Sequence, residues 1–194
     1  MNALTVTPES TALLVVDVQE KLLPAMPEFD RRRVVAAVEL LVEAAKAFEI
    51  PVFVTEQYPK GLGATVASVR SLVETCEPKA VIAEKTLFNA MAPPEIARGI
   101  ASSGVRSVIV AGMEAHVCVF QTVRELRDRG YFVHVPHDAV ASRDPASRAA
   151  ALAMFASRGA TVSTTETIVF DLLRDAKHPA FKALSARIKD LPLP

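Results

Sequence analysis

Short apolar runs alternate with longer amphipathic stretches along the chain, the pattern of repeated strand–helix units. Ala12 to Val16 is apolar at every position, as a strand covered on both faces should be. Arg31 to Phe48 carries Val34, Val38, Leu41, Ala45 and Phe48 at helical spacing, with Asp30 placed to cap its start and Pro51 just past its end. Pro51 to Thr55 predicts a second strand, Ala64 to Thr75 a helix, and Ala80 to Ala83 a third strand. Pro93-Pro94 opens a helix that ends before Gly104, and Ser107 to Ala111 predicts a fourth strand stopped by Gly112. Val117 to Arg129 follows as a helix burying Val119, Phe120, Val123 and Leu126, with Gly130 where a C′ glycine belongs. Tyr131 to Val135 is the fifth strand, and Asp144-Pro145 caps a helix running to Gly159. Ala160 to Ser163 is a short sixth strand, Thr164 or Thr165 caps a helix through Leu173, and His178 to Lys189 forms a last short helix. The expected fold is α/β: one domain over residues 1–194, three-layer α/β/α, doubly wound, on a six-stranded and mostly parallel sheet.

Composition narrows the function. At 194 residues, folding should bury roughly 70% of the unfolded surface, so neither disulfides nor a structural metal are needed. Lys and Arg number 22 and Asp and Glu number 22, which argues against nucleic acid and membrane surfaces as partners. No apolar stretch approaches the ~20 residues of a membrane span, and no basic segment precedes the first apolar run. Cys76 and Cys118 are too few and too far apart for a zinc site and read as reduced thiols of a cytoplasmic protein. Arg31-Arg32-Arg33 reads as a solvated helix face.

In doubly wound sheets ligands bind at the carboxyl ends of the strands. There the sequence places Asp17-Val18-Gln19 after strand one and Glu84-Lys85-Thr86 after strand three. After strand four it places Gly112-Met113-Glu114-Ala115-His116-Val117-Cys118. A carboxylate, an amine and a thiol thus share one rim. A thiol attacks as its thiolate, which a helix N-terminus and a nearby cation stabilise. A carboxylate beside it can take the thiol proton and later return it to a leaving group. Gln19, Gln57, Tyr58, Phe88 and His116 lie close in sequence to these positions and are candidate substrate contacts, with backbone or packing roles as the alternative.

These motifs, together with Thr55-Glu56-Gln57-Tyr58-Pro59-Lys60-Gly61-Leu62-Gly63, Glu84-Lys85-Thr86-Leu87-Phe88 and the stretch from Ser163 to Lys189, resemble the isochorismatase-like superfamily of cysteine hydrolases. The resemblance is strongest to the small members known as isochorismatase domain-containing hydrolases and spans about Ser10 to Lys189. It implies Cys118 as nucleophile, Asp17 as general base and acid, and Lys85 as the cation that stabilises the thiolate. It also implies a cis peptide bond at Met113–Glu114 that aims the Glu114 N–H, with the Cys118 N–H, at an oxyanion. Nicotinamidases of this superfamily hold a metal through histidines after strand two. Here that stretch is Thr55-Glu56-Gln57-Tyr58-Pro59, and His116, His134, His137 and His178 all lie elsewhere, so no metal and no cofactor are expected. The implied activity is hydrolysis of a small amide, ureido or related C–N substrate by a homo-oligomer. A vinyl ether hydrolase of the isochorismatase type and a non-catalytic binding or scaffold member of the fold are the alternatives.

Overall fold

The computed structural model describes residues 5–192. The chain forms β1 Thr11–Val16, α1 Glu28–Ala47, β2 Val52–Gln57, α2 Pro59–Leu62, α3 Ala67–Val73, β3 Val81–Lys85, α4 Pro94–Ser102 and β4 Ser107–Met113. A π-helical turn, Ala115–Val119, then leads into α5 Phe120–Asp128. The remainder is β5 Phe132–Pro136, β6 Val140–Ala141, α6 Pro145–Ser157, β7 Thr161–Ser163, α7 Thr165–Leu173 and α8 Phe181–Lys189.

The sheet has seven strands in the order β3-β2-β1-β4-β5-β7, with β6 pairing β4, and every pairing is parallel. The chain winds outward from β1 to β3, returns to β4 and winds outward the other way. The direction therefore reverses between β1 and β4, which is where a doubly wound sheet opens its ligand crevice. The continuous apolar run of β1 serves both layers. Leu13 and Val15 pack into the core beneath α1, α7 and α8, while Ala12, Leu14 and Val16 pack into the opposite core with α4, α5 and α6.

The sheet has one strand more than the six expected. β6 is only two residues long and extends the sheet past the end of β5, its residues lying beside Gly112 and Met113. For the same reason β4 does not stop at Gly112 but runs through it, paired to β1 and β6 on either side. Gly112 is required there: at φ 121°, a Cβ would stand 1.9 Å from the Val16 carbonyl oxygen. The helix predicted over Ala64 to Thr75 is shorter, because Thr65 instead bridges to Gln19. The helix predicted from Val117 is divided, its first turn being the π-helical segment. Asp30 does not cap α1, which starts at Glu28; its carboxylate pairs with Arg33 at 2.5 Å. The arginine run is solvated only at Arg32. Arg31 reaches the carbonyls of Pro24 and Met26, and Arg33 is held by Asp30.

Candidate active site

Asp17, the residue after β1, has φ 53°. This left-handed backbone is uncommon for a residue with a side chain and clusters at functional sites. Its carboxyl is fully buried and fully engaged. Thr55 Oγ1 donates to Oδ1 at 2.7 Å and Lys85 Nζ donates to Oδ2 at 2.6 Å. Cys118, on the π-helical turn after β4, lies near enough that the charge of Asp17 raises its thiol pKa and that of Lys85 opposes the rise. Asp17, Lys85 and Cys118 are thus brought together from the ends of β1, β3 and β4.

Lys85 is held on three sides. Besides Asp17, its ammonium donates to Gln57 Oε1 at 2.6 Å and to the Phe88 carbonyl at 3.2 Å. Its three protons are therefore all placed. Gln57 Nε2 donates one of its two N–H groups to the Thr86 carbonyl at 2.8 Å. Its contacts position Lys85, and its second N–H remains for the substrate contact expected of it. Gln19 departs from that expectation. Its amide is fully buried, donating to the carbonyls of Gln57 and Gly63 at 3.1 and 2.6 Å and accepting from the Gln57 N–H at 2.7 Å. It clamps the loop between β2 and α3, with both N–H donors spent inside the protein and no exposed surface for substrate. Glu56, buried behind it, accepts from the N–H and hydroxyl of Thr65, both at 2.7 Å, and from Arg70 at 3.1 Å.

Electrostatics at the centre differ from the expectation of a preformed thiolate. Burial pushes the Cys118 thiol up to about 12; the negative charge of Asp17 adds to the rise, and Lys85 only opposes it. Burial also raises the Asp17 carboxyl above its ordinary value, against the pull of Lys85 and of the hydrogen bonds it accepts. The resting site therefore holds a protonated thiol beside a carboxyl poised to receive its proton.

The Met113–Glu114 peptide bond is cis. The Glu114 carboxylate braces the loop, accepting from the Arg143 N–H at 3.2 Å. Two threonines that sequence reading did not single out complete the frame. Thr55 orients Asp17. Thr122 donates to the Cys118 carbonyl at 2.7 Å and accepts from the Ala90 N–H at 2.9 Å, tying the Cys118 turn to the loop that follows Lys85. Strand registry was the only signal for Thr55, which lies beside Val16. Thr122 lies four residues after Cys118, the spacing of successive helical turns. His116 Nδ1 lies 3.0 Å from Ser142 Oγ and has no hydrogen bond to Asp17, Lys85 or Cys118 among the described residues. Tyr58 and Phe88 stand 55% and 51% exposed at the rim. Among the described residues no group of three or more His, Cys, Asp or Glu is arranged to hold a metal ion.

A parallel sheet flanked by helices on both faces, with Asp17, Lys85 and Cys118 gathered at its switch point, puts the chain among three-layer α/β/α proteins of the doubly wound class. Comparison with known proteins places it further. The isochorismatase domain matches residues 11–167, and the chain belongs to the isochorismatase family. It is 34% identical to isochorismatase domain-containing protein 2A of Mus musculus, over 97% of this chain and 87% of that protein. The solved MAR1 ribonuclease of Caenorhabditis elegans superposes with a TM-score of 0.88 at 35% identity, over 98% of this chain and 95% of that one. The ycaC gene product of Escherichia coli, described as an octameric hydrolase of unknown specificity, superposes with a TM-score of 0.83 at 22% identity, over 96% of this chain and 97% of that one.

Proposed function

We propose that this protein hydrolyses the C–N bond of a small amide or ureido substrate through a Cys118 thioester. The observation that carries the reading is the buried carboxyl of Asp17, paired with Lys85 at 2.6 Å and near enough to the buried Cys118 thiol for its charge to raise the thiol pKa. As Sγ attacks the substrate carbonyl, Asp17 takes the thiol proton. The oxyanion is received by the backbone N–H groups of Glu114 and Cys118, each such donor being commonly worth ~3–4 kcal/mol. Asp17 then hands its proton to the departing nitrogen, leaving the thioester. Water attacks next, giving one proton to Asp17, which passes it to Sγ as the acid leaves. Lys85 keeps Asp17 oriented and balances its charge through the cycle. Protein groups and water suffice for every step, so the proposal includes no cofactor. Tyr58 and Phe88 wall the approach for an uncharged part of the substrate, and association with further copies of the chain is part of the reading. The ribonuclease activity named for the nematode relative is not extended to this chain, whose basic and acidic residues balance at 22 each.

One observation favours a second reading. A thiol held up to about 12 beside a carboxyl raised above its usual value also suits a site in which protonated Asp17 acts as an acid on a vinyl ether and Cys118 is a bystander. Ammonia release from an amide and ureide panel, measured for the parent protein, Cys118→Ala and Asp17→Asn, separates the readings. Loss in both variants, by about 100-fold or more, supports the thioester route. Full turnover by Cys118→Ala overturns it, and loss confined to Asp17→Asn on a vinyl ether supports the second. Failure of the parent on both substrate classes supports a non-catalytic role.

A further inference from the structure

Arg148 stands in the first turn of α6, where the helix dipole disfavours a cation. It is half-buried, and burial together with the neighbouring Arg33 holds its pKa below the ordinary guanidinium value, against the pull of Asp30 and Asp138. A charge kept at so unfavourable a place indicates a function for its contacts. Those contacts are to the turn between β5 and β6. Nε donates to the Val140 carbonyl at 2.9 Å and Nη2 to the His137 carbonyl, with His137 Nδ1 3.4 Å from the same nitrogen.

The β4 overhang gives β6 a partner, but a ladder confined to Gly112–Val140 and Met113–Ala141 is shorter than strands that hold themselves in a sheet. The Arg148 guanidinium supplies the missing hold, grasping β6 at Val140 and the turn before it at His137. The residues just past β6 then reach the Cys118 turn. Ser142 Oγ lies 3.0 Å from His116 Nδ1, and the Arg143 N–H donates to Glu114 Oε1 at 3.2 Å. The Glu114 carbonyl in turn accepts from the N–H groups of Val117 and Val119 at 3.0 and 3.1 Å, closing the turn around Cys118. A continuous run of contacts thus joins α6 to Cys118, although Arg148 has no hydrogen bond to Asp17, Lys85 or Cys118 among the described residues.

We propose that Arg148 is a positioning residue for the Cys118 centre: by holding the His137 and Val140 carbonyls it fixes β6, and through Ser142 and Arg143 it fixes the turn that carries Glu114 and Cys118. A displacement of about 1 Å at such a turn is enough to cost about 100-fold in rate. The effect on turnover rests on the reading in which Cys118 is the nucleophile; the effect on the turn does not.

The test uses the full-length protein with Arg148→Met, which keeps an apolar stem and removes the donors, and Arg148→Lys, which keeps the cation and a donor. Hydrogen exchange read by mass spectrometry follows segments 140–143 and 114–119, with β2 as the reference. Arg148→Met should speed exchange in both segments by about tenfold and leave β2 unchanged, and Arg148→Lys should recover most of the protection. Iodoacetamide should alkylate Cys118 about threefold faster in Arg148→Met, with Cys76 unchanged, because the loosened turn uncovers the thiol. In a parent protein active on the amide and ureide panel, Arg148→Met should lower kcat by about tenfold or more and leave KM within about twofold. Equal loosening of β2 makes Arg148 a general stabiliser and overturns the proposal, as does loosening confined to segment 140–143. An unchanged kcat overturns it too. A parent inactive on the whole panel counts against the proposed function alone, and exchange and alkylation then decide the role of Arg148.

Discussion

A carboxyl buried between an ammonium and a thiol cannot favour the charged forms of both. The ionised Asp17 matches Lys85 and opposes a Cys118 thiolate, and burial opposes every charge in the site. Replacing Asp17 by Asn removes the negative charge and leaves the Lys85 ammonium. The midpoint of Cys118 alkylation by iodoacetamide should then fall below about 12 while turnover is lost. Peptide mass spectrometry across pH reads both thiols at once. Cys76 serves as the internal reference, because its pKa is raised by burial and Glu77 and not by Asp17. An unmoved Cys118 midpoint would mean that Asp17 does not hold the thiol in its neutral form. On the proposed thioester route the acid limb of the parent protein's pH–rate profile should lie above the 3.8 of an ordinary Asp, because that route needs Asp17 to lose its proton to act as base. The high thiol pKa means that ionisation of Cys118 contributes no second limb below about 12. Lys85→Met should destabilise the fold by about 3–5 kcal/mol near pH 7, since it strands a fully buried carboxylate. The sign of its pH dependence follows from linkage. The folded variant binds a proton on Asp17 that the unfolded chain has already released, so the loss shrinks as pH falls. Denaturant titrations at two pH values check this. The order of Asp17, Lys85 and Cys118 along the chain was legible in the sequence, but their resting protonation was not, because it depends on how deeply all three are buried.

Elements carry the geometry that residues alone do not. β1 and β4 approach so closely that Gly112 has backbone, not space, where a side chain would begin. Gly112→Ala should cost at least about 3 kcal/mol by combining an unfavourable φ with overpacking against a carbonyl that cannot yield. Its activity should fall as well, since Asp17 and Cys118 hang from these two strands. Gly104→Ala is the control: φ is also positive there, at 71°, but nothing lies within 4 Å of the added carbon. It should cost only the backbone conformation, about 1–2 kcal/mol. Chemical denaturation of both variants tests the contrast. At β2 and β3, Gln57→Ala removes one of three tethers from Lys85 while leaving its charge in place. A loss of up to about 100-fold in kcat with little change in stability is expected if Gln57 acts by position. A change in KM alone would return it to the substrate-binding role expected from sequence. That expectation arose because Gln19 and Gln57 carry the same amide at the same rim, and only strand registry decides which carbonyls each amide meets. β6 escaped notice for a related reason: two residues are too few to display any period, and Val140–Ala141 is a strand only because β4 overruns β5.

At the scale of the whole molecule, the apolar periodicity was enough to read the parallel α/β layers, because strands covered on both faces cannot alternate. What periodicity does not show is which apolar side chains stay outside. Among the described residues five large hydrophobic side chains are exposed, and three of them, Tyr58, Leu87 and Phe88, stand on the loops that follow β2 and β3. These loops also carry the Gln57 and Phe88 groups that hold Lys85. They sit beside β3, an edge strand that pairs only with β2 among the described residues. Clustered apolar exposure at a sheet edge marks an interface more often than a free surface. A second copy of the chain is the occupant expected here, since the proposed reaction needs water controlled around a rim that one chain leaves open. Multi-angle light scattering should therefore give a multiple of 20.9 kDa. The double variant Leu87→Asp, Phe88→Asp should dissociate it and raise KM, with Lys85 still tethered through the Phe88 carbonyl that any residue at position 88 supplies. A parent protein that stays at 20.9 kDa at all concentrations would instead leave Tyr58, Leu87 and Phe88 as a rim open to the substrate itself. The double variant should then change KM without changing mass, so mass and KM measured on the same samples distinguish a wall built by a partner from one built for the ligand.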